Sequence, residues 1–369
     1  MLKKLSKLFL PLAFLFVLAS CMEEPPVFKD GEGKLRIMAY GDTSLVDSIP
    51  DYIPMQNAKA ILTSEYGTLI RYTDNQGVLS LESLPAAIYN ISIRMVHPTY
   101  SDRILVGNIR GVEVNTERVY IDSLFAIGIT NSGLAISEIY AGGPINNIFY
   151  FYDQYVELYN YSDSIKYLDG MLISRVSGNN PPDGDGGPGA DAGNDGDIDG
   201  FTYIFKFPGN PGERNCPINP GQYMVVAAKA IDHRQSVSTS IDLSRCDWEF
   251  YNQFSATDFD NPNVPNLLNI RADRTVDFLI NLVSDVIVLS SGVDTVWSDG
   301  IDISNVIDGV QYASTATKIR TIDGRVEKGL ALSPPRYSGQ SMRRREPGGD
   351  TDDATLDWEI IPAATPGRH

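Results

Sequence analysis

The sequence is poor in histidine, which narrows the chemistry open to it. Among 369 residues only His97, His233 and His369 are histidine, so a Ser–His or Cys–His catalytic pair has few candidates. None lies at ligand spacing from a cysteine, and no nucleophile elbow, zinc helix or phosphate loop is present. We therefore expect no enzyme. One alternative stays open, because 47 acidic residues allow carboxylate pairs of the kind that hydrolases use.

Positive charge is also scarce. The chain has 30 Lys and Arg against 47 Asp and Glu, a formal net charge of −17, and no basic stretch with interleaved aromatic residues. Such a chain repels phosphate backbones, so nucleic acid is not an expected partner. Arg343, Arg344 and Arg345 form a basic cluster, which we expect to pair with nearby acids such as Glu346 and Asp350.

Long apolar runs are absent after the N-terminus. Three lysines precede the run from Leu8 to Leu18, which is too short to span a bilayer and predicts a signal peptide over residues 1–20. The run ends in Leu-Ala-Ser followed by Cys21, which resembles the bacterial lipobox. The resemblance implies that Cys21 carries lipid (a diacylglycerol, with palmitate as the acyl chain) and that the mature chain is anchored in a membrane.

An acidic tether, residues 21–33, follows the predicted cleavage site and contains Glu23 and Glu24. An acidic pair in this place resembles the surface-export signal of Bacteroidetes-type lipoproteins. The resemblance implies an outer-membrane protein that faces the cell exterior. A short polar tether without a sorting role is the alternative, and it is compatible with the same residues.

Cysteine is rare in the rest of the chain. Once Cys21 is lipidated, Cys216 and Cys246 remain. An even number in an oxidising compartment favours a disulfide, which would stabilise the fold by about 3–4 kcal/mol. Two buried free thiols are the alternative.

Helical periodicity is scarce, and strand patterns predict an all-β protein of about two domains. Residues 89–95 alternate large and polar side chains, and residues 73–77 are typical of a turn. Residues 34–126 resemble the carboxypeptidase regulatory-like domain, a transthyretin-like β-sandwich, in their Thr-Asp-x-x-Gly and Leu-Pro-x-Gly-x-Tyr patterns. The matching residues are Thr73, Asp74, Gly77, Leu84, Pro85 and Tyr89. Ala87 departs from the pattern, since the family has glycine there, and a positive φ at Ala87 would be strained.

The remaining residues, 127–369, resemble the lamin-tail domain, an immunoglobulin-like β-sandwich. The matching pieces are Glu138-Ile139, Glu157-Leu158-Tyr159-Asn160, Leu168 and Gly170, Pro220-Gly221-Gln222-Tyr223, Ser341 with Arg343, and Thr365-Pro366-Gly367. Neither family implies catalytic residues. The region is longer than a lamin-tail core, and the excess falls in inserts at about 177–200 and 232–275, the second of which we expect to pack on the core.

An aromatic strand provides one candidate binding face. Tyr155, Glu157 and Tyr159 share one side of the predicted strand, and Val156 and Leu158 share the other. If the aliphatic side is core, the tyrosines point outward and form a platform for a sugar or a protein. Ordinary sheet tyrosines, favoured by β-propensity, are the alternative.

The first insert provides a candidate calcium site. Asp195, Asp197 and Asp199 have the spacing of positions 1, 3 and 5 of a calcium loop, with Gly200 at position 6. Position 12 is Lys206 and not a glutamate, which rejects a helix-loop-helix calcium hand. A looser Ca²⁺ site remains, completed by another acid from the set Asp183, Asp185 and Asp191. The alternative is a solvated Gly/Asp loop.

The overall layout resembles an uncharacterised family of Bacteroidetes surface lipoproteins, for which no activity carries over. We expect a lipid-anchored binding or interaction module on the outer surface, accessory to an outer-membrane transporter or cell-surface assembly. The alternative is a calcium-assisted carbohydrate-binding or adhesive protein whose partner is a surface glycan.

Overall fold

The computed structural model describes residues 31–44, 49–99, 103–130, 132–147, 149–178 and 187–368. Cys21, Asp183 and Asp185 lie outside these residues. The described chain is all-β, with one short α-helix, α1 (Ala354–Asp357), and 3-10 turns at His233–Gln235 and Ile303–Asn305. In this part of the chain no helix has the length and apolar character needed to cross a bilayer.

The N-terminal part of the described chain, from β1 to β8, is a two-layer sandwich with one core. Its strands are β1 (Gly33–Asp42), β2 (Tyr52–Pro54), β3 (Lys59–Ser64), β4 (Gly67–Tyr72), β5 (Val78–Leu84), β6 (Ala87–Val96), β7 (Arg103–Val114) and β8 (Val119–Thr130). The outer layer contains β1, flanked by β2 and β5 on one side and by parallel β8 on the other. The inner layer has the order β7-β6-β3-β4, and the end of β8 pairs with β7. Strand β8 therefore joins both layers around the buried side chains.

The turn between β4 and β5 depends on one carboxylate. Asp74 Oδ1 accepts hydrogen bonds from the backbone N–H groups of Gln76 (2.8 Å) and Val78 (2.9 Å). Gly77 has φ 76°, and a Cβ there would lie 2.7 Å from a carbonyl oxygen of β1. Glycine is therefore required at this position. Ala87 has no positive φ, so the strain considered at that position is absent.

The rest of the described chain, from Leu134 onward, is a second, larger sandwich. Its strands are β9 (Leu134–Tyr140), β10 (Tyr155–Asn160), β11 (Lys166–Tyr167), β12 (Leu172–Val176), β13 (Asp197–Ile198), β14 (Phe201–Lys206), β15 (Pro217–Ile218), β16 (Tyr223–Ala227), β17 (Trp248–Glu249), β18 (Leu268–Asn269), β19 (Ser284–Ser290), β20 (Ile301–Asp302), β21 (Val306–Ala313), β22 (Ala331–Leu332), β23 (Ser341–Arg344) and β24 (Trp358–Ile361). One six-stranded sheet has the order β17-β16-β10-β9-β23-β24, and the other has β18-β14-β12-β19-β21-β22. The main core lies between them.

Both outer faces of the large sandwich are covered by the inserts. Leu243 and Val264, from the second insert, pack with Tyr140 and Tyr155 on the outside of the first sheet. Ile198, from the first insert, belongs to a cluster on the outside of the second sheet. The extra length of the chain therefore forms two additional small cores, and strand β9 is buried on both sides.

A fully buried arginine connects the two large sheets. Arg344, at the end of β23, donates to both carboxylate oxygens of Asp308 in β21 at 2.9 and 2.8 Å. It also contacts Asp350 and Asp357 at 3.2 Å and the Ile136 carbonyl oxygen at 2.8 Å. A desolvated guanidinium is stable only when its donors are satisfied in this way. The expected pairing of the basic cluster with nearby acids is confirmed for Arg344 and Asp350.

Replacement of Arg344 by methionine is expected to lower the free energy of unfolding by about 3–5 kcal/mol, because Asp308 and Asp357 would stay buried without their partner. The matched control is Arg343→Met, which removes a half-buried ion pair with Glu359 (3.3 Å) and is expected to cost about 1 kcal/mol or less. Urea unfolding followed by tryptophan fluorescence measures both. Equal losses in the two variants would contradict the structural role of Arg344.

Candidate functional site

The structure corrects the predicted tyrosine platform. The aliphatic side of β10 faces the core as expected, but Tyr155 and Glu157 on the other side are each only 1% exposed. Tyr159 is half-buried and stacks on Tyr223, with ring centroids 4.4 Å apart. The platform prediction is wrong for Tyr155 and Glu157, because the second insert and the C-terminal segment cover this face of the sheet.

The acidic residues on this face hold the C-terminal segment. Glu138 accepts hydrogen bonds from the Thr365 backbone N–H at 3.0 Å and from the hydroxyl groups of Thr365 and Tyr155 at 2.5 Å. Glu157 accepts the Gly367 N–H at 2.6 Å. The two glutamates are direct partners across β9 and β10. This carboxylate pair therefore lies under the C-terminal segment and binds backbone groups.

Burial changes the protonation of Glu157. Loss of water raises the pKa of its carboxyl group to about 8; the Gly367 N–H opposes the shift and the nearby Glu138 carboxylate adds to it. The Ser137 hydroxyl group opposes the shift as well. Glu157 is therefore protonated near neutral pH, which removes the repulsion between two adjacent buried carboxylates.

The three aspartates of the predicted calcium site do not converge. Asp195 accepts the backbone N–H of Asp197 at 3.2 Å, and Asp199 is 4% exposed. Asp191 forms an ion pair with Arg325. Within the described ranges, no three His, Cys, Asp or Glu side chains are arranged to hold one metal ion. The calcium prediction therefore gains no support from these residues.

The neighbours of Asp197 are acidic. It pairs with Asp302 across β13 and β20, and Asp195, Asp294 and Asp299 lie nearby. Partial burial, followed by these negative charges, raises the pKa of Asp197 to about 6. Like charges directly opposite on two strands are destabilising, and protonation of Asp197 below about pH 6 removes that repulsion.

The structure contains no disulfide between Cys216 and Cys246. Both are free thiols. Cys216 belongs to the main core, whereas Cys246 packs against the small cluster outside the first sheet. The predicted bond is absent because the first sheet separates the two environments.

His233, in the second insert, lies in a tyrosine contact that resembles a catalytic pair. The Tyr150 hydroxyl lies 2.5 Å from His233 Nδ1, and Nε2 lies 2.9 Å from the Lys229 carbonyl oxygen. His233 is fully buried, and burial lowers the pKa of its ring. Both ring nitrogens have partners inside the protein, so the contact fixes the insert.

A polar cleft of about 700 Å³ lies beside the first insert. Arg175 lines it, but its guanidinium binds Asp285 at 2.6 Å and the Leu279 carbonyl oxygen at 2.7 Å. Gln311 accepts two backbone N–H groups through its side-chain oxygen. Arg175 and Gln311, among the described lining residues, therefore serve the fold.

An uncovered aromatic face lies on the N-terminal sandwich. On the outside of its outer layer, the ring of Tyr40 stacks on Phe125 at 5.7 Å, and Tyr52 meets Phe125 edge-on at 5.1 Å. Phe125 is 58% exposed and Tyr52 48%. Ile121, 61% exposed, extends the surface along β8. We call Tyr40, Tyr52, Ile121 and Phe125 the aromatic face.

Sequence reasoning missed the aromatic face, although a signal was present. Large side chains occur on both sides of β8: Leu124 and Ala126 are buried, whereas Ile121 and Phe125 point outward. A sheet with one side in water normally alternates apolar and polar residues. Apolar residues on both sides of a strand therefore indicate a second contact surface.

Comparisons with known proteins support the fold. The model of a family described as a protein of unknown function, DUF4876, matches residues 219–299. The crystal structure of a DUF4876 family protein from Bacteroides thetaiotaomicron is similar, with a TM-score of 0.52 and 17% sequence identity over 88% of this chain and 94% of that chain. No curated protein matches significantly. At this identity the likeness shows the fold alone.

Replacement of Glu157 by glutamine is expected to weaken the pH dependence of stability. In the folded protein the pKa of Glu157 is about 8, above its value in the unfolded chain, so the folded state binds a proton that the unfolded state has lost. The contribution of this proton to the free energy of unfolding is complete below about pH 4.5 and is lost as the pH rises through 8. We expect a loss on the order of 2–4 kcal/mol between pH 5 and 9 that the variant lacks.

Urea unfolding at pH 5, 7 and 9 measures the effect. The control is Glu82→Gln, whose side chain is 68% exposed. If the free energies of unfolding of the wild type and Glu157→Gln stay parallel with pH, Glu157 is not the protonated group.

Proposed function

We propose that the protein is a lipid-anchored binding module of the outer-membrane surface, and that its N-terminal sandwich docks to a partner through the aromatic face. The exposed ring cluster of Tyr40, Tyr52 and Phe125 is the observation that carries the proposal. Aromatic side chains at the centre of a patch with a polar rim are typical of protein interfaces. Arg36, the direct partner of Ile121, and Ser123 are the polar residues on the same side of β1 and β8.

The N-terminal outer layer is a suitable docking surface because the other sheet faces are covered by other parts of the chain. The outer faces of the large sandwich lie under the inserts, and the middle of the N-terminal inner layer lies against the C-terminal half. Within the described ranges, the outer layer of the N-terminal sandwich has no comparable cover. Exposed apolar patches on soluble domains commonly mark interaction sites.

The position of the aromatic face relative to the proposed anchor fits a partner in the same membrane. Strand β1 begins at Gly33, the last residue of the tether, and Tyr40 lies about 23 Å along it. A fully extended tether of 13 residues spans at most about 45 Å. The aromatic face is therefore within reach of the exposed part of a transporter or another surface protein.

The proposed family assignment is a Bacteroidetes-type surface lipoprotein with a carboxypeptidase regulatory-like sandwich and a lamin-tail-like sandwich. In support, its motif residues have structural contacts. The buried Tyr89 hydroxyl donates to the Pro85 carbonyl oxygen at 3.0 Å. Glu138 and Glu157 bind the Thr365-Pro366-Gly367 segment. No catalytic role follows from these contacts.

Carbohydrate binding is the second candidate function, and the aromatic face favours it as well, because exposed rings stack on the apolar faces of sugars. The proposal differs from the sequence expectation in two ways. The aromatic rings lie on the N-terminal sandwich and not on β10, and the described aspartates supply no calcium geometry.

A photo-cross-linking amino acid at Ile121 tests the docking face. In intact cells it is expected to give a defined adduct, and Phe125→Ala is expected to reduce the yield about tenfold, since a central aromatic side chain contributes more than 1 kcal/mol. The control places the cross-linker at Val276, which is 65% exposed on the other sandwich. Identical adducts at both positions would sink the proposal.

A glycan array that compares the wild type with Phe125→Ala tests the second candidate function. A sugar bound by the wild type and lost in the variant would be the ligand of the aromatic face.

Protease treatment of intact cells tests the location. The protein is expected to be degraded while a periplasmic protein stays intact, and Cys21→Ala is expected to release it from the membrane fraction. Full protection from the protease, with the protein retained in the outer membrane, would contradict surface exposure but leave the lipid anchor standing.

A further inference from the structure

The middle of the N-terminal inner layer carries polar residues that are turned toward the C-terminal sandwich. Ser92 on β6 is only 4% exposed, although it points away from the N-terminal core. Asn108, its direct partner on β7, donates to the Thr351 carbonyl oxygen at 3.0 Å. A polar sheet face that is buried in this way is a contact surface, since water would otherwise cover it.

The opposing element is residues 345–357, between β23 and β24, which we call the clasp loop. It is fixed within its own sandwich. Thr351 donates to Asp357 through its N–H and its hydroxyl, both at 2.8 Å, and the Ala354 N–H donates to buried Glu327 at 2.8 Å. Arg344 binds the Gly349 carbonyl oxygen at 3.0 Å. The clasp loop is therefore a rigid part of the larger sandwich.

Four contacts join the clasp loop to three adjacent strands of the inner layer. Their members are Lys59 with Glu346 at 3.0 Å, Arg94 with the Gly348 carbonyl oxygen at 3.4 Å, Asn108 with the Thr351 carbonyl oxygen at 3.0 Å, and the ion pair of Arg110 with Asp353. The order along the loop follows the strand order β3, β6, β7. One such contact would act as a pivot, but contacts spread over about 10 Å resist rotation.

Charge complementarity fits the same arrangement. The clasp loop contains five acidic residues and one basic residue, whereas the strands that meet it offer Lys59, Arg94 and Arg110. Exposed ion pairs are weak individually, at about 0–1 kcal/mol.

The short linker between the sandwiches strengthens these contacts. Only three residues separate Thr130 of β8 from Leu134 of β9, so the two surfaces are held at high effective concentration.

A small cavity lies in the junction, with apolar side chains (Ile61, Leu356) and polar ones in its lining. This cavity of about 30 Å³ lies between the sandwiches, and Ser92 lines it together with Thr351. Ser92 Oγ is buried and has no hydrogen-bond partner among the described residues. A cavity of this size has room for one or two water molecules, which would bridge Ser92 Oγ to the clasp loop.

From these contacts we infer that the clasp loop locks the two sandwiches into one rigid unit, so that the N-terminal sandwich is a fixed arm and not a flexible spacer. The inference does not rest on the proposed function. It holds whether the aromatic face binds a protein, a sugar or nothing.

Distances between spin labels test the inference in the full lipidated chain. Labels at Thr116→Cys and Ala316→Cys, both exposed, report on the two sandwiches in a Cys216→Ala/Cys246→Ala background. The wild-type junction is expected to give one narrow distance distribution by double electron–electron resonance. Ser92→Arg places a wedge in the junction and is expected to at least double the width.

The matched control is Ile88→Arg, on the same strand and the same side but 64% exposed, which is expected to leave the distribution unchanged. Circular dichroism checks that both variants keep their strands. We expect them to, because Ser92 and Ile88 point away from the core of the N-terminal sandwich. A broad distribution without the wedge, or a narrow one that Ser92→Arg does not alter, would overturn the inference.

Discussion

The guanidinium group of Arg344 lies where three parts of the molecule meet. It leaves β23 in one large sheet, binds Asp308 in the other, and holds the Gly349 carbonyl oxygen of the clasp loop that faces the N-terminal sandwich. A cation without water needs all of these acceptors, because each missing one costs the full desolvation penalty. The register of the sheets and the shape of the clasp loop are therefore coupled through one buried charge.

The inserts determine which sheet faces of the large sandwich are buried. Without them, the first large sheet would present β10 and its tyrosines to water. Here Leu243 and Val264 cover that face, and the C-terminal segment completes the cover through Glu138 and Glu157. The large sandwich thus becomes a scaffold that is closed on both sides. The aromatic face of the N-terminal sandwich, in contrast, is exposed among the described residues.

Local patterns in the sequence predicted the strands, but not what lies on the far side of each sheet. Alternation placed Val156 and Leu158 in the core correctly, since a strand has a period of two. The exposure of Tyr155 depends on an insert nearly a hundred residues later in the chain. The alternation of residues within β10 does not reveal that this insert covers the strand. Cys216 and Cys246 failed as a pair for the same reason, because cysteine number says nothing of the sheet that separates them.

Part of the acidity of the chain has a structural role in its loops. Long connections leave backbone N–H groups without strand partners, and a buried N–H needs an acceptor. Four carboxylates, those of Asp74, Asp169, Glu249 and Glu327, each accept two such groups. A loop-rich β protein therefore collects acidic residues as structural acceptors. The net charge of −17 therefore selects no ligand, and the proposal of a binding surface rests on the exposed rings around Phe125.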